Sequence, residues 1–149
     1  MTDTNELKDP VEAYVRKWLT DKGYRSFEQR EVPLKLITGG QHRFDIVSKD
    51  RTIVGGIKTT SLRANGKVGV GAIKSVFTEL YFLSLVKAEK KMLILTDKGF
   101  FKLFKRRVSG QVLSDTEIMY CPLTESLEDR VAEIHKSARE EIGKRLEKP

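Results

Sequence analysis

The sequence predicts an α/β protein with a central mixed sheet flanked by helices, in the order α-β-β-β-α-β-β-α. Short apolar stretches with period-two alternation indicate strands, and longer stretches with apolar residues every three or four positions indicate helices. The two kinds of stretch follow one another along the whole chain. A length of 149 residues is typical of a single domain, here residues 1–149.

A first helix is predicted to begin after Asp9 and Pro10, which suit the N-cap and the first helical position. Its apolar residues recur at helical spacing until Gly23, and they are Val11, Tyr14, Val15, Trp18 and Leu19. Glu12 lies at the edge of this apolar stripe. From there its side chain can reach a neighbouring cleft.

Three strands are predicted next, at residues 31–37, 42–48 and 52–60. Because the connections between them are short, we expect an antiparallel meander. A glycine-containing loop at residues 61–71 then leads into a second helix. The broad apolar face of that helix is typical of packing on a sheet.

The second half of the chain is predicted to add two or three strands and a long helix. Residues 91–96 and 116–121 are strands, and residues 100–105 are either a strand or an irregular segment. The helix at residues 124–146 carries an apolar stripe that favours packing on the domain. Use of this helix for dimerisation is the alternative.

The charge composition indicates which class of partner the chain is expected to bind. The chain has 28 Lys and Arg against 21 Asp and Glu, a net charge of +7, which favours polyanions such as nucleic acid. No Asp or Glu occurs in residues 51–78, and a second acid-free stretch at residues 98–107 interleaves cations with phenylalanines. Each stretch is either a track for a phosphate backbone or a solvated surface segment.

The rest of the composition excludes several kinds of site and of protein segment. Cys121 is the single cysteine, so an intramolecular disulfide and a cysteine-rich zinc site are both ruled out. The sequence has no apolar run long enough to span a bilayer, and its polar start lacks the pattern of a signal peptide. We therefore expect a cytoplasmic protein without membrane contact.

The candidate functional residues lie on the second and third predicted strands. Asp45 alternates with Phe44 and Ile46, and an Asp on an apolar strand is costly to bury unless it is paired or binds a cation. Lys58 follows a similarly apolar strand and can approach Asp45 across the strand pair. A simple ion pair between the two is the structural alternative to a functional site.

The run Phe44-Asp45, a short hairpin and then Val-Gly-Gly-Ile-Lys at residues 54–58 resembles the core of the PD-(D/E)XK nuclease superfamily. The resemblance implies a restriction-endonuclease-like core, DNA as partner, Mg²⁺ or Mn²⁺ as cofactor and a homodimer. It also implies that Asp45 and the backbone carbonyl of Ile57 bind the metal. Lys58 is then the catalytic lysine that orients the attacking water.

One position departs from the family pattern, because Gly56 stands where an acid should precede Lys58 by two residues. Gly56 is therefore a vacant acid position of the catalytic motif. Three explanations remain open: another acid has migrated into the site, the chain is a lapsed nuclease, or the glycine is an introduced substitution. The candidate migrated acids are Glu12, Glu31 and Glu79.

The predicted function is that of a metal-dependent DNA endonuclease-like protein, impaired or inactive if Gly56 is not compensated. The residues expected to bind nucleic acid lie after the motif and are Thr59, Thr60, Arg63, Lys67 and Lys74. The first alternative is a non-catalytic nucleic-acid-binding module on the same fold. The second is an interaction protein that acts through its C-terminal helix.

Overall fold

The computed structural model describes residues 8–62, 65–112 and 115–147, which contain four helices and six strands. The helices in these ranges are α1 (Lys8–Asp21), α2 (Val70–Leu85), α3 (Lys98–Arg107) and α4 (Glu125–Glu147). The strands are β1 (Val32–Lys35), β2 (Gln41–Phe44), β3 (Ile46–Val47), β4 (Ile53–Lys58), β5 (Lys90–Leu95) and β6 (Thr116–Tyr120). No helix in the described ranges is both long and apolar enough to cross a bilayer.

The main sheet is mixed, as the sequence predicts. Its order is β3-β4-β5-β6, with β3 antiparallel to β4 and with β4, β5 and β6 mutually parallel. Parallel neighbours need a crossover, and α2 and α3 supply the two crossovers. The carboxyl ends of three strands therefore meet at one edge of the sheet, where open α/β sheets bind their ligands.

The predicted meander is divided at Asp45. β1 and β2 form a separate antiparallel hairpin, in which Val32 pairs with Phe44. The chain then changes direction at Asp45, and β3 pairs with β4 over two residues only. The predicted second strand is thus two short strands that belong to different sheets.

Helices cover both faces of the main sheet. Along β4, Ile53 and Ile57 pack into a core with α1 and α4, whereas Val54 packs on the other face with α2 and α3. This alternation follows from the period of two along a strand. Gly56 and Lys58 share the face of Val54, so both of them face α2.

The first helix begins at Lys8, two residues before Pro10, and buries Val11, Val15 and Leu19. It ends at Asp21, and Gly23 follows with a φ of +99°, a left-handed conformation that glycine adopts without strain. The amide of Tyr24 then donates to the carbonyl of Leu19 at 3.1 Å. This cap turns the chain towards the hairpin.

The interpretation of residues 100–105 as a strand or an irregular segment is wrong, since they belong to α3. The side chain of Asp97 accepts a hydrogen bond from the amide of Phe100 at 2.8 Å and so caps the helix. Phe100 and Phe104 are four residues apart and are both fully buried against the sheet. Helical spacing of these rings, rather than β propensity, decides the local structure.

The last helix packs on the α1 face of the sheet within its described part. Val131 is 7% exposed, and Leu127 and Ile134 contact the same core. The side chain of His135 reaches the end of β4, where its Nε2 lies 3.1 Å from the carbonyl oxygen of Thr59. The side chains of Ile142 and Leu146, which complete the predicted stripe, lie outside the described residues.

Candidate metal centre

A cleft of about 590 Å³ opens at the carboxyl end of β4, between α1 and α2. Four carboxylates line it, and they are Glu12, Glu31, Asp45 and Glu79. Lys58 lines the same cleft, together with Ile57, Thr59 and Thr60. The structure thus brings together Asp45, Lys58, Ile57 and all three acids that the sequence suggested as replacements at the motif.

The shortness of β3 determines how Asp45 is held. Because β3 pairs with Val54 and Gly55 only, it does not reach the Ile57 amide. The side chain of Asp45 replaces the missing strand partner and accepts a hydrogen bond from Ile57 N at 2.9 Å. The Ile57 carbonyl leaves the strand on the same side as its amide, towards Asp45.

Arg16 fixes the backbone of Asp45 from the α1 side. Its guanidinium donates to the Asp45 carbonyl oxygen from Nε at 3.2 Å and from Nη2 at 2.8 Å. The same Nη2 lies 3.5 Å from a carboxylate oxygen of Glu12, one helical turn earlier. Arg16 is 4% exposed, so these contacts orient Glu12 and Asp45 within the protein interior.

Three of the carboxylates form one compact cluster. Glu12, Glu31 and Asp45 each offer an oxygen, and these oxygens lie within 4.8 Å of one another. Glu12 is 6% exposed. Oxygen ligands in such proximity are the set that Mg²⁺ and Mn²⁺ prefer, with water in the remaining positions.

Glu79 occupies the place that a side chain at position 56 would take. A Cβ built on Gly56 would lie 2.6 Å from Glu79 Cγ and 2.8 Å from its Cδ. The Glu79 side chain is 8% exposed, and its Oε1 is buried without a hydrogen-bond partner in the described part of the chain. An acid from α2 therefore lies where the motif lacks one, with one oxygen left for a further ligand.

Burial makes these carboxylates hard to ionise. It raises the pKa of Glu12 to about 8, and the hydrogen bond and negative charge of Asp45 add to the shift. It also raises the pKa of Asp45, against the effect of the Ile57 amide. The pKa of Glu79 is raised by burial and then by the charge of Asp45. A bound cation would remove this repulsion, so the cluster fits a divalent metal ion.

Lys58 is held by α2. Its Nζ donates to Ser75 Oγ at 3.1 Å, and its positive charge lowers the pKa of Glu79 against the effect of burial. Ser75 and Glu79 are four residues apart and so lie on one side of α2. One helix therefore positions the lysine of the motif and supplies an acid beside it.

His42 supports the second oxygen of Glu79. Its Nε2 lies 3.2 Å from Glu79 Oε2, and its ring stacks on Phe82 with centroids 3.9 Å apart. Phe44 meets the same ring edge-on at 4.8 Å. The aromatic contacts fix the imidazole, and the imidazole in turn fixes the carboxylate.

The residues predicted to bind nucleic acid are not all at the cleft. Thr59 and Thr60 line it, whereas Lys67 and Lys74 are exposed and do not. Arg63 lies outside the described residues. The described cations of the loop and of α2 are therefore exposed and do not line the cleft.

Two supporting residues, Arg16 and Ser75, have no counterpart in the sequence reading. Neither belongs to a motif, because each acts through a neighbour that the fold brings close. Helical spacing held a partial signal: Glu12 and Arg16, and likewise Ser75 and Glu79, are four residues apart.

Comparisons with protein-family models, with curated proteins and with solved structures found no match for this chain.

Proposed function

We propose that this protein is a metal-dependent hydrolase of phosphodiester bonds in DNA, an endonuclease of the PD-(D/E)XK type. The observation that carries the proposal is the Glu79 carboxylate, which fills the space beside Gly56 and keeps one buried oxygen without a partner. On this view the acid of the motif has moved from β4 to α2. Gly56 is then the residue that makes room for it.

The proposed roles follow from the contacts of each side chain. Glu12, Glu31 and Asp45, whose oxygens lie within 4.8 Å of one another, would hold a divalent ion. Glu79, which lines the same cleft, would add a further carboxylate ligand, with the Ile57 carbonyl beside them. When bound, Mg²⁺ or Mn²⁺ supplies charge neutralisation at the phosphate and acidifies a coordinated water. Lys58, steadied by Ser75, orients the attacking water and offsets the negative charge that develops at phosphorus.

The arrangement of the elements supports the same proposal. A helix precedes the antiparallel β3–β4 pair, and another follows it to begin the crossover to a parallel strand. We propose that this is a restriction-endonuclease-like core. The candidate residues lie at the junctions of these elements, where the carboxyl ends of the strands open to solvent.

The test is cleavage of supercoiled plasmid DNA by the full chain in Mg²⁺, in Mn²⁺ and in EDTA. Asp45→Asn, Lys58→Ala and Glu79→Gln should each lower the metal-dependent rate by at least about 100-fold. Glu89→Gln removes an exposed carboxylate and is the matched control that keeps the wild-type rate. A folded wild-type chain that neither cuts DNA nor binds either ion would overturn the proposal.

An acid exchange tests the role of Gly56 directly. Sequence reasoning alone expects Gly56→Glu to restore the motif, but the new side chain would collide with Glu79. We therefore expect cleavage from the double variant Gly56→Glu/Glu79→Ala and a much lower rate from Gly56→Glu or Glu79→Ala alone. Equal inactivity of all three variants would contradict the exchange.

The alternative function is nucleic-acid binding without cleavage on the same fold. It is favoured by the absence of a carboxylate at position 56 of the motif itself. The two functions differ in one measurement. A binding module retains salt-sensitive DNA binding in Mg²⁺ while leaving the plasmid intact for the duration of the assay.

A further inference from the structure

We propose that the exposed side of α3 is a second contact surface for DNA, which holds the duplex backbone beside the cleft. We call this surface the α3 cationic face, and its residues are Lys98, Lys102, Lys105 and Arg106. The inference extends the proposed function, because it names where the substrate is held.

The charge of the chain is concentrated on this helix. α3 carries five cations and no acid over ten residues, in a chain of net charge +7. Residues at positions i, i+4, i+7 and i+8 share one side of a helix, and all four members of the α3 cationic face are exposed. The opposite side is formed by the buried rings of Phe100 and Phe104.

The described part of the chain provides no acidic partner for these cations. Among the described side chains, none of the four has a carboxylate within 4.0 Å. The nearby Asp97 carboxylate caps the helix and accepts from the Phe100 amide. Lys105 lies over the ring of Phe101 at 5.3 Å, an exposed contact that leaves its ammonium available.

Because the cleft is acidic, attraction of DNA to it requires a cationic surface nearby. Four carboxylates at the cleft repel a phosphate backbone, so attraction at a distance has to come from cations elsewhere. Thr59 lines both this cleft and a second cavity that Lys98 and Asp97 also line. α3 therefore begins at the same edge of the sheet at which the cleft opens.

The chain after the motif links the two surfaces. Thr96 N donates to the Lys58 carbonyl at 3.3 Å, and Leu62 packs so closely on Gly99 that an added Cβ would lie 2.9 Å from it. The first turn of α3 is thus held against the segment that leaves the cleft. DNA that crosses this edge meets Lys98 first and then the remaining cations of α3.

Chemistry favours nucleic acid over an anionic membrane. A helix that lies in a membrane surface inserts its apolar side between the lipids. In α3 that side is occupied, because Phe100 and Phe104 are 0% exposed. What remains outside is a row of cations at helical spacing, which suits a row of phosphates.

The experiment measures binding of a fluorescent 30-base-pair duplex to the full chain in EDTA, over a series of KCl concentrations. The test variant is Lys102→Gln/Lys105→Gln/Arg106→Gln, and glutamine keeps the helix propensity of the residues it replaces. If each cation neutralises one phosphate, the slope of log affinity against log salt becomes shallower by about 2.7. Affinity at low salt should fall on the order of tenfold or more.

The matched control removes the same charge from the opposite edge of the sheet. Lys35, Lys49 and Lys87 are exposed, and Lys49 and Lys87 precede the amino ends of β4 and β5. Lys35 lines one cavity with Lys87, which assigns it to the same end. The triple variant Lys35→Gln/Lys49→Gln/Lys87→Gln should keep nearly the wild-type slope.

Two outcomes overturn the inference. The first is an equal loss of DNA affinity in both triple variants, which would show that net charge alone governs binding. The second is tighter binding of the wild type to phosphatidylserine vesicles than to DNA. Plasmid cleavage separates this inference from the proposed function. If DNA binding depends on α3 but no cleavage occurs, only the proposed function fails. If cleavage occurs and the α3 variant keeps the wild-type salt slope, only the α3 inference fails.

Discussion

Two adjacent glycines in β4 have different neighbours. A Cβ on Gly55 would lie 2.5 Å from the Met92 carbonyl oxygen, which belongs to the backbone of the adjacent strand. A Cβ on Gly56 would meet the Glu79 side chain instead, and a side chain shifts at a lower cost than the backbone of a neighbouring strand. We expect Gly55→Ala to lower the free energy of unfolding by about 1–3 kcal/mol and Gly56→Ala by less, as measured by urea denaturation.

The same pair of variants distinguishes a structural glycine from a functional one. Gly56→Ala should displace the Glu79 carboxylate and weaken Mn²⁺ binding, measured by calorimetry, although the protein remains folded. Gly55→Ala leaves the Glu79 position free and should bind the ion normally at a temperature where it is folded. Unchanged Mn²⁺ affinity in Gly56→Ala would show that Glu79 is not a ligand.

Glu12 should reduce the stability of the metal-free protein at alkaline pH. Burial raises its pKa from 4.5 to about 8, so the folded state binds a proton that the unfolded state has already lost. Stability falls as the pH rises through this window. Glu12→Gln removes the effect, and its free energy of unfolding in EDTA should exceed that of the wild type at pH 8.5 by at least about 1 kcal/mol.

Measurement at a second, lower pH is the control for the Glu12→Gln prediction. At pH 5 the Glu12 carboxyl is protonated in the folded state, and Glu12→Gln should then differ little from the wild type. Addition of Mg²⁺ should stabilise the wild type more than the variant. A variant that is less stable than the wild type throughout the pH range would contradict the effect of burial on Glu12.

Sequence reasoning at this scale selected Asp45 and Lys58 as candidates, because a charged residue on an apolar strand is visible without a structure, and both residues line the cleft. It also left Glu12, Glu31 and Glu79 open as replacements for the missing acid. The structure distinguishes among them, since the three atoms nearest to a Cβ at position 56 all belong to Glu79. The distance in sequence between positions 56 and 79 hides that contact, which depends on how α2 crosses the sheet.

At the scale of elements, the brevity of β3 accounts for the position of the candidate site. A longer β3 would pair with Ile57 and exclude the Asp45 carboxylate from the β4 edge. The sequence predicts one continuous strand through Asp45, because its flanks Phe44 and Ile46 are both apolar. The division becomes evident only when the hairpin packs as a separate sheet.

α3 shows why local pattern misled the interpretation of residues 100–105. Three phenylalanines within five residues suggest a strand by propensity, and the lysines between them suggest an edge. The decisive signal is the spacing of Phe100 and Phe104, together with Asp97 three residues before Phe100. Both are helix signals, and both fall in a stretch too short for a clear periodicity.

His135 connects α4 to the end of β4 and should make stability depend on pH. Its Nε2 lies 3.1 Å from the Thr59 carbonyl oxygen, and burial lowers its pKa below 6.5. Its contribution is therefore present above pH 6.5 and is lost as the pH falls below that value. His135→Gln should cost about 1 kcal/mol at pH 7.5, measured by denaturation.

The difference between wild type and His135→Gln should shrink towards pH 5.5, because the wild type then has to hold a charged imidazole in a half-buried position. An exposed control is Lys136→Gln, on the same helix turn, which should change little at either pH. A difference that stays constant from pH 7.5 to 5.5 would contradict a half-buried, neutral His135.

At the scale of the whole molecule, charge is separated across one edge of the sheet. Four carboxylates line the cleft between α1 and α2, whereas the cations of α3 begin beyond Thr59 at the same edge. This separation would suit the proposed polyanionic substrate. The cations of α3 would attract it, and a divalent ion would offset the repulsion by the carboxylates of the cleft. Net charge alone suggests the partner, but not this arrangement.

Cys121 offers a measure of how a bound ion stabilises the whole fold. The thiol is 0% exposed at the end of β6, and burial raises its pKa to about 12. Ellman's reagent should therefore label it only when the protein unfolds, at a rate set by the free energy of unfolding.

An ion present at 100 times its Kd adds about 2.7 kcal/mol to the free energy of unfolding, which should slow labelling of Cys121 roughly 100-fold in the wild type. Glu79→Gln should lose most of this protection, and Glu89→Gln should keep it. Rapid labelling of the wild type without denaturant would contradict the burial of Cys121, and equal protection in both variants would contradict a role for Glu79 in holding the ion.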